Sequence, residues 1–365
     1  MKTKDFNSLE QPFTIIPGNP SVQNDAKAID PITKGLYAQI AFIVFAPYIL
    51  FFHTEPEAIT TFSIIFSSIV LEAFPFMLIG ALIGGLIEVF VSRDALIKLL
   101  PKNRVLSIVL AGSLGIIFPV CECAIVPVVR RLLGKGMPLG AAIAFLLGGP
   151  IVNPLVFAST LVAYSFSWDV AFLRLFAGYG IAIAVGLLID GLFTRHQALV
   201  ENPTQQDCGC GHIHHHHSEG EQSGLKDRFM GALSHSAQDF YDICKFLIIG
   251  AFIAAALQTF VPRQALVAVM TNPFSAIFLM MVLAVMLNLC SEADAFISAS
   301  FQPLGIPLSA QLSFMVLGPM LDIKLILMYL TVFSKKMIIT LTFITLFMVA
   351  STMLFLEFSQ RLLGI

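Results

Sequence analysis

Apolar residues in this chain fall into runs long enough to span a membrane, separated by polar stretches. The first covers Leu36 to Phe52, near the lower limit of the roughly 17–25 residues that cross a bilayer as a helix. A long run from Ile59 to Val91 follows, with Pro75 inside it. Val105 to Leu133 is apolar but broken by Phe118-Pro-Val-Cys-Glu-Cys, and Pro138 to Ala163 is broken by Gly148-Gly-Pro-Ile-Val-Asn-Pro. Val170 to Phe193 ends the series. After a polar stretch the pattern restarts at about 237–261, 274–302, 307–332 and 337–357. Runs of this length predict an all-α polytopic membrane protein.

The restart is an internal repeat. A shift of 169 places Cys121 on Cys290, Ala124 on Ala293, Gly136 on Gly305, Pro138 on Pro307, Phe145 on Phe314, Gly149 on Gly318 and Pro150 on Pro319. Upstream the shift is 170, and Phe76-Met-Leu-Ile-Gly-Ala matches Phe246-Leu-Ile-Ile-Gly-Ala. Membrane composition alone matches Leu with Ile by chance; it does not place Cys, Gly and Pro in the same ungapped order. The chain is therefore divided into a polar tail (1–35), an extra transmembrane helix and loop (36–58), a first membrane repeat (59–194), a linker (195–236) and a second membrane repeat (237–365). Residues 1–35 carry no apolar core of a cleavable signal peptide.

Basic residues choose between two readings of 105–133. Lys102 and Arg104 precede it and Arg130, Arg131 and Lys135 follow it. Its two arms, about 14 and 12 residues, are each too short to cross alone. If it dips in and returns, both basic flanks lie on the cytoplasmic side, as the positive-inside rule prefers. Each repeat then has about three crossings plus a re-entrant broken-helix hairpin, and the odd number of crossings inverts one repeat relative to the other. The N-terminus and the linker fall in the cytoplasm, and Arg263 is the one charge that fits poorly. A continuous helix over 105–133 would instead make the repeats parallel.

Composition strengthens the membrane reading. Hydrophobic residues make up 57% and charged residues 12% of 365 residues, where ordinary globular chains carry about 45–50% and about 25%. The net charge of −2 provides no basic field for nucleic acid. Six cysteines are too few for a disulfide framework.

Four groups of residues carry candidate chemistry. The first is Cys121-Glu122-Cys123 with its partner stretch Cys290, Glu292 and Asp294. Pro119 frees backbone groups at membrane depth, and those groups require protein or a wet cavity around them. Carboxylates there are functional candidates by default, and thiols beside them suit a soft, thiophilic solute. A buried Cys is also a common apolar filler; the matched positions of Cys121 and Cys290 favour function, while Cys123 matches Glu292. The second group is the pair of Gly-Pro breaks, in which Asn153 matches Asp322; half-helix ends of this kind hold substrate in transporters, although a plain proline kink gives the same spacing. Lys324 reads either as the counter-ion of Asp322 or as a side chain snorkelling to the inner surface. The third is Glu72 with its match Asp242, read as coupling or proton-relay groups or as interfacial residues. Arg174 and Asp190 read as residues near span ends. The fourth is the linker tract Cys208, Cys210, His212, His214, His215, His216 and His217. Its ligand types suit Zn²⁺, Cu⁺ or Ni²⁺, and it has no counterpart in the repeat.

The block from Phe118 to Pro154, FPVCECAIVPVVRRLLGKGMPLGAAIAFLLGGPIVNP, resembles the signature of the predicted-permease family that includes the bacterial organoarsenical efflux permeases. The resemblance covers most of residues 60–357. It implies a permease of the cell inner membrane, with Cys121, Cys123 and Cys290 as transient soft ligands. No phosphate-binding G-x-x-x-x-G-K-[ST] motif is present, so the expected function is a secondary permease, not an enzyme, that exports a small thiophilic solute by alternating access and needs no cofactor. Two other readings stand beside it: a transition-metal or sulfur-compound permease with the linker as metal sensor, and a membrane thiol-redox protein. The expected partners are a small-molecule solute, the lipid bilayer, and either a second copy of the chain or a soluble thiol or metal carrier.

Overall fold

The computed structural model describes residues 56–90, 101, 103–116, 121–199, 225–260 and 272–363. Its regular elements are helices. The first series is α1 (Pro56–Phe90), α2 (Arg104–Gly112, continued as a 3-10 turn Ser113–Ile116), α3 (Glu122–Gly134), α4 (Leu139–Gly148), α5 (Pro154–Ala163) and α6 (Trp168–Leu192). A short α7 (Arg195–Ala198) follows. The second series is α8 (Leu225–Phe260), α9 (Pro273–Leu287), α10 (Ala293–Ala299), α11 (Leu308–Leu317), α12 (Ile323–Tyr329) and α13 (Lys335–Leu363). Thr60–Ile365 forms one unit; of the other, Met1–Ile59, only the first turn of α1 is described. The run Leu36 to Phe52 and the metal-ligand tract Cys208 to His217 lie outside the described residues.

Three helical stretches among the described residues are long and apolar enough to cross a membrane: Glu57–Leu86, Trp168–Leu192 and Lys335–Leu362. Other described apolar stretches lie in shorter helices, α4, α5, α9 and α11 among them. The cuts have local causes. Helix α4 stops at Gly148 and α5 restarts with Pro154 in its first turn, where a missing N–H costs nothing. Asn153 caps α5, its Oδ1 accepting from Leu155 N at 2.9 Å. Asp322 does the same for α12, accepting from Leu325 N at 2.6 Å. Helix α9 ends at Asn288, which takes the left-handed conformation (φ 54°) that Asn tolerates better than most residues.

The centre of the core is helical on every side. All of α4 is buried, which is what a helix with no polar stripe requires; α11 is buried after Leu308, with its Ser309, Gln311 and Ser313 hydrogen-bonded inside. Helix α4 packs against α2 and α6, and α11 against α9 and α13. The outward faces carry bare apolar side chains such as Leu71, Phe343 and Phe355, a surface matched to hydrocarbon and mismatched to water. Helix α8 begins at Leu225, inside the stretch assigned from sequence to the linker.

Helix α1 meets α3 at Gly80. A methyl group there would lie 2.4 Å from the Ala124 carbonyl oxygen and 2.5 Å from its Cα. Backbone cannot yield as a side-chain tip can, so Gly80→Ala is expected to cost about 1–3 kcal/mol. Gly180→Ala, with nothing within 4 Å of the new methyl, is the control. Melting of the two purified variants in detergent checks this: the first melts well below the native chain and the second does not.

Candidate functional site

The break before α3 and the break before α10 bring their side chains to one place. Cys121, Glu122 and Cys123 from the first series meet Asn288 and Cys290 from the second around a cavity of about 10 Å³. Lys324 from α12 and Ile69, Glu72, Ala73 and Phe76 from α1 complete its wall. That volume admits about one water molecule, so this arrangement has no room for a solute. Cys290 Sγ donates to Glu292 Oε2 at 2.5 Å. All three cysteines are free and buried.

A buried ion network ties the two series together. Lys324 Nζ lies 3.2 Å from Glu122 Oε1 and 3.4 Å from Asp322 Oδ2. Ser291 Oγ donates to Glu122 Oε2 at 3.0 Å. Arg174, well inside α6, donates to Ser291 O at 2.9 Å and to Thr160 Oγ1 on α5 at 2.8 Å. Exposure is 1% for Glu122, 0% for Asp322, 3% for Lys324 and 2% for Arg174. Charges so deep demand partners; Asp322 is local to Lys324, while Glu122 and Ser291 bring Lys324 and Arg174 partners from the other series. A second tie is neutral: Tyr164 OH donates toward Ser298 Oγ at 2.9 Å and Gln311 Oε1 at 2.8 Å.

The residues singled out from sequence separate into groups. Glu72, Cys121, Glu122, Cys123 and Cys290 line the cavity, with Glu292 behind Cys290. Asp322 reaches it through Lys324, whose buried position settles the choice between counter-ion and snorkelling side chain. Asn153 and Asp294 stand outside the cavity wall. The Asp242 side chain lies outside the described residues. Arg174, read from sequence as near a span end, lies in the first third of α6 and is buried, and its guanidinium is one of the links between the series. Asp190 does sit near the end of α6, where it pairs with Arg104 and accepts from Gly140 N at 2.9 Å. Ser291 and Asn288 had no distinguishing signal; Arg174 had one, a cation within an apolar run. Among the described residues no group of three His, Cys, Asp or Glu side chains is placed to hold a metal ion.

Comparison with known proteins matches residues 58–357 to the family model ArsP_1, described as predicted permease. The chain belongs to this predicted-permease family. The permease is 40% identical over 291 residues to the UPF0718 protein YcgR of Bacillus subtilis (strain 168), which covers 80% of this chain and 95% of that one. It is 38% identical over 289 residues, 79% of this chain and 92% of the other, to a putative two-component membrane permease complex subunit of Streptococcus mutans. The UPF0718 protein YraQ of Escherichia coli (strain K12) matches a shorter stretch, 28% over 131 residues. No solved structure matches. Family and apolar helices together make the permease a multi-pass membrane transporter, and the matched region contains every residue of the cavity wall.

Proposed function

We propose that this permease exports a small thiophilic solute from the cytoplasm, with Cys121, Cys123 and Cys290 as successive soft ligands. The observation that carries the reading is the meeting of all three thiols at one small cavity whose wall comes from both series. Soft sulfur donors select soft electrophilic solutes over hard ions. The solute class follows: trivalent organoarsenicals or similar thiol-reactive species. With no three-ligand metal group among the described residues, a solute that needs one or two sulfur contacts fits better than a chelated transition metal.

Alternating access would work by exchanging which side of the cavity is open. The two series would be inverted repeats that rock about the network of Glu122, Lys324, Ser291 and Arg174. The equivalent packing of the breaks supports the duplication. A methyl on Gly149 would lie 2.5 Å from Ile125 Cδ1, and a methyl on Gly318 would lie 2.6 Å from Asp294 Oδ2; both members of each pair are related by the shift of 169. The membrane would be the cytoplasmic one, with the Cys/His linker inside as an accessory metal-binding tract. The name of the Streptococcus relative supports a second subunit as partner.

Everted membrane vesicles test the proposal. Methylarsenite, arsenite, Zn²⁺, Cu⁺ and small thiols are offered with an imposed gradient. Accumulation of methylarsenite, with none of Zn²⁺, is the expected result; accumulation of Zn²⁺ or Cu⁺ alone would replace the proposal with metal transport.

A further inference from the structure

The buried charges of the permease do not balance. Among the described residues, Glu122, Asp294 and Asp322 are each 1% exposed or less, and the cations buried with them are Arg174 and Lys324; Glu357, 7% exposed, pairs with Arg361. Lys324 is committed to Glu122 and Asp322. Arg174 donates to two neutral groups, Ser291 O and Thr160 Oγ1, and its Nε has no hydrogen-bond partner. Asp294 is the carboxylate left over: its Oδ2 has no hydrogen-bond partner, and no ion pair reaches it among the described residues.

Asp294 gains no partner from the helix ends around it. It stands in the first turn of α10, whose dipole favours a negative charge, and packs onto the end of α11, whose dipole opposes one. The space is tight. A methyl on Gly318 would meet Oδ2 at 2.6 Å and Phe314 O at 3.3 Å, so the carboxylate packs directly on the backbone at the end of α11. A proton neutralises a carboxylate without a second ligand. The charged and titratable groups that face it come from three elements: Arg174 on α6, which bears on it most strongly among the cations, Glu122 on α3, and Lys324 and Asp322 at α12; Glu292 and Tyr164 complete the set around Arg174.

The matched position in the first series is Ile125, an apolar side chain packed on Gly149 in the same way. The fold therefore does not require an acid at this place. An unpaired buried acid with no structural duty, one residue pair away from the network that joins the two series, calls for another explanation.

We infer that Asp294 is a proton carrier of this permease, protonated in this arrangement and ionised against Arg174 in another. The inference rests on the transport reading for its purpose. The step is a proton transfer alone: the O–H bond at Asp294 breaks, the proton passes to water on the side then open, and the Arg174 guanidinium leaves Ser291 O and Thr160 to take up the new charge. Ser291 also holds Glu122 (3.0 Å), so movement of Arg174 is transmitted to the cavity wall. Solute flux and proton flux are coupled through this exchange.

The full chain in lipid vesicles tests it in two arms. Infrared spectra at neutral pH show a protonated-carboxyl C=O band in the native permease; Asp294→Asn and Asp294→Ile both lose it. The Ile variant guards against misfolding, since isoleucine occupies the matched position. A band of undiminished size in either folded variant overturns the inference. In the second arm, vesicles loaded with a pH-sensitive dye receive methylarsenite, and protons moved per solute fall to zero in both variants; an unchanged ratio overturns the inference as well. If the native permease moves no methylarsenite, the solute reading falls, and the infrared arm alone still decides the proton carrier.

Discussion

Lys324→Met is expected to cost about 3–5 kcal/mol of stability, the usual result of removing one partner from a buried ion pair. The substitution keeps most of the side-chain length and takes away the charge that Glu122 and Asp322 share at 3.2 and 3.4 Å. Two carboxylates, each 1% exposed or less, are left uncompensated in a low-dielectric interior, and that penalty exceeds the packing lost. The diagnostic is the triple variant Lys324→Met, Glu122→Gln, Asp322→Asn. With no charge left to strand, it regains most of the lost melting temperature while transport stays absent. Melting and gel filtration of both purified proteins check this. Equal loss in the single and triple variants would mean that Lys324 matters for its packing and not for its charge.

Cys121→Ser together with Cys290→Ser is expected to reduce solute affinity by roughly 100-fold, about 2.8 kcal/mol, at unchanged expression. Serine has nearly the volume of cysteine, so the cavity keeps its shape. It replaces a polarisable sulfur with a hard oxygen that a soft electrophile does not prefer. Cys290 also gives up its contact with Glu292 at 2.5 Å, which a serine hydroxyl reproduces; the loss is therefore one of ligand chemistry and not of hydrogen bonding. Vesicle uptake over a range of methylarsenite concentrations reads it as a raised half-saturation value. Uptake that survives both substitutions would demote the thiols to packing.

Much of the architecture is legible in the sequence because membrane helices announce themselves locally. The two Gly-Pro breaks fall where α4 gives way to α5 and α11 to α12. Asn153 and Asp322, matched by spacing, perform the same capping task. What spacing does not carry is the meeting of distant residues. Nothing near Lys324 in the chain points to Glu122, 202 residues away, and Ser291 is an ordinary serine until Arg174 and Glu122 are found on either side of it. Arg174 was readable as an intramembrane cation, and its apparent closeness to a span end concealed its role: only packing shows that α6 turns that face inward. The start of α8 at Leu225 was missed for a different reason. Hydropathy marks where a helix enters hydrocarbon, and Lys226, Asp227 and Arg228 extend the helix before that point.

Thiol footprinting of the purified permease tests the central claim most directly. The full chain is incubated with methylarsenite, alkylated in denaturant, and each cysteine is quantified by mass spectrometry. Cys244, half-buried on α8 and away from the cavity wall, is the internal reference. Protection of Cys121, Cys123 and Cys290 with Cys244 fully alkylated is the predicted result. Protection confined to Cys208 and Cys210, or none at any position, would contradict a thiol-lined transport site between the two series.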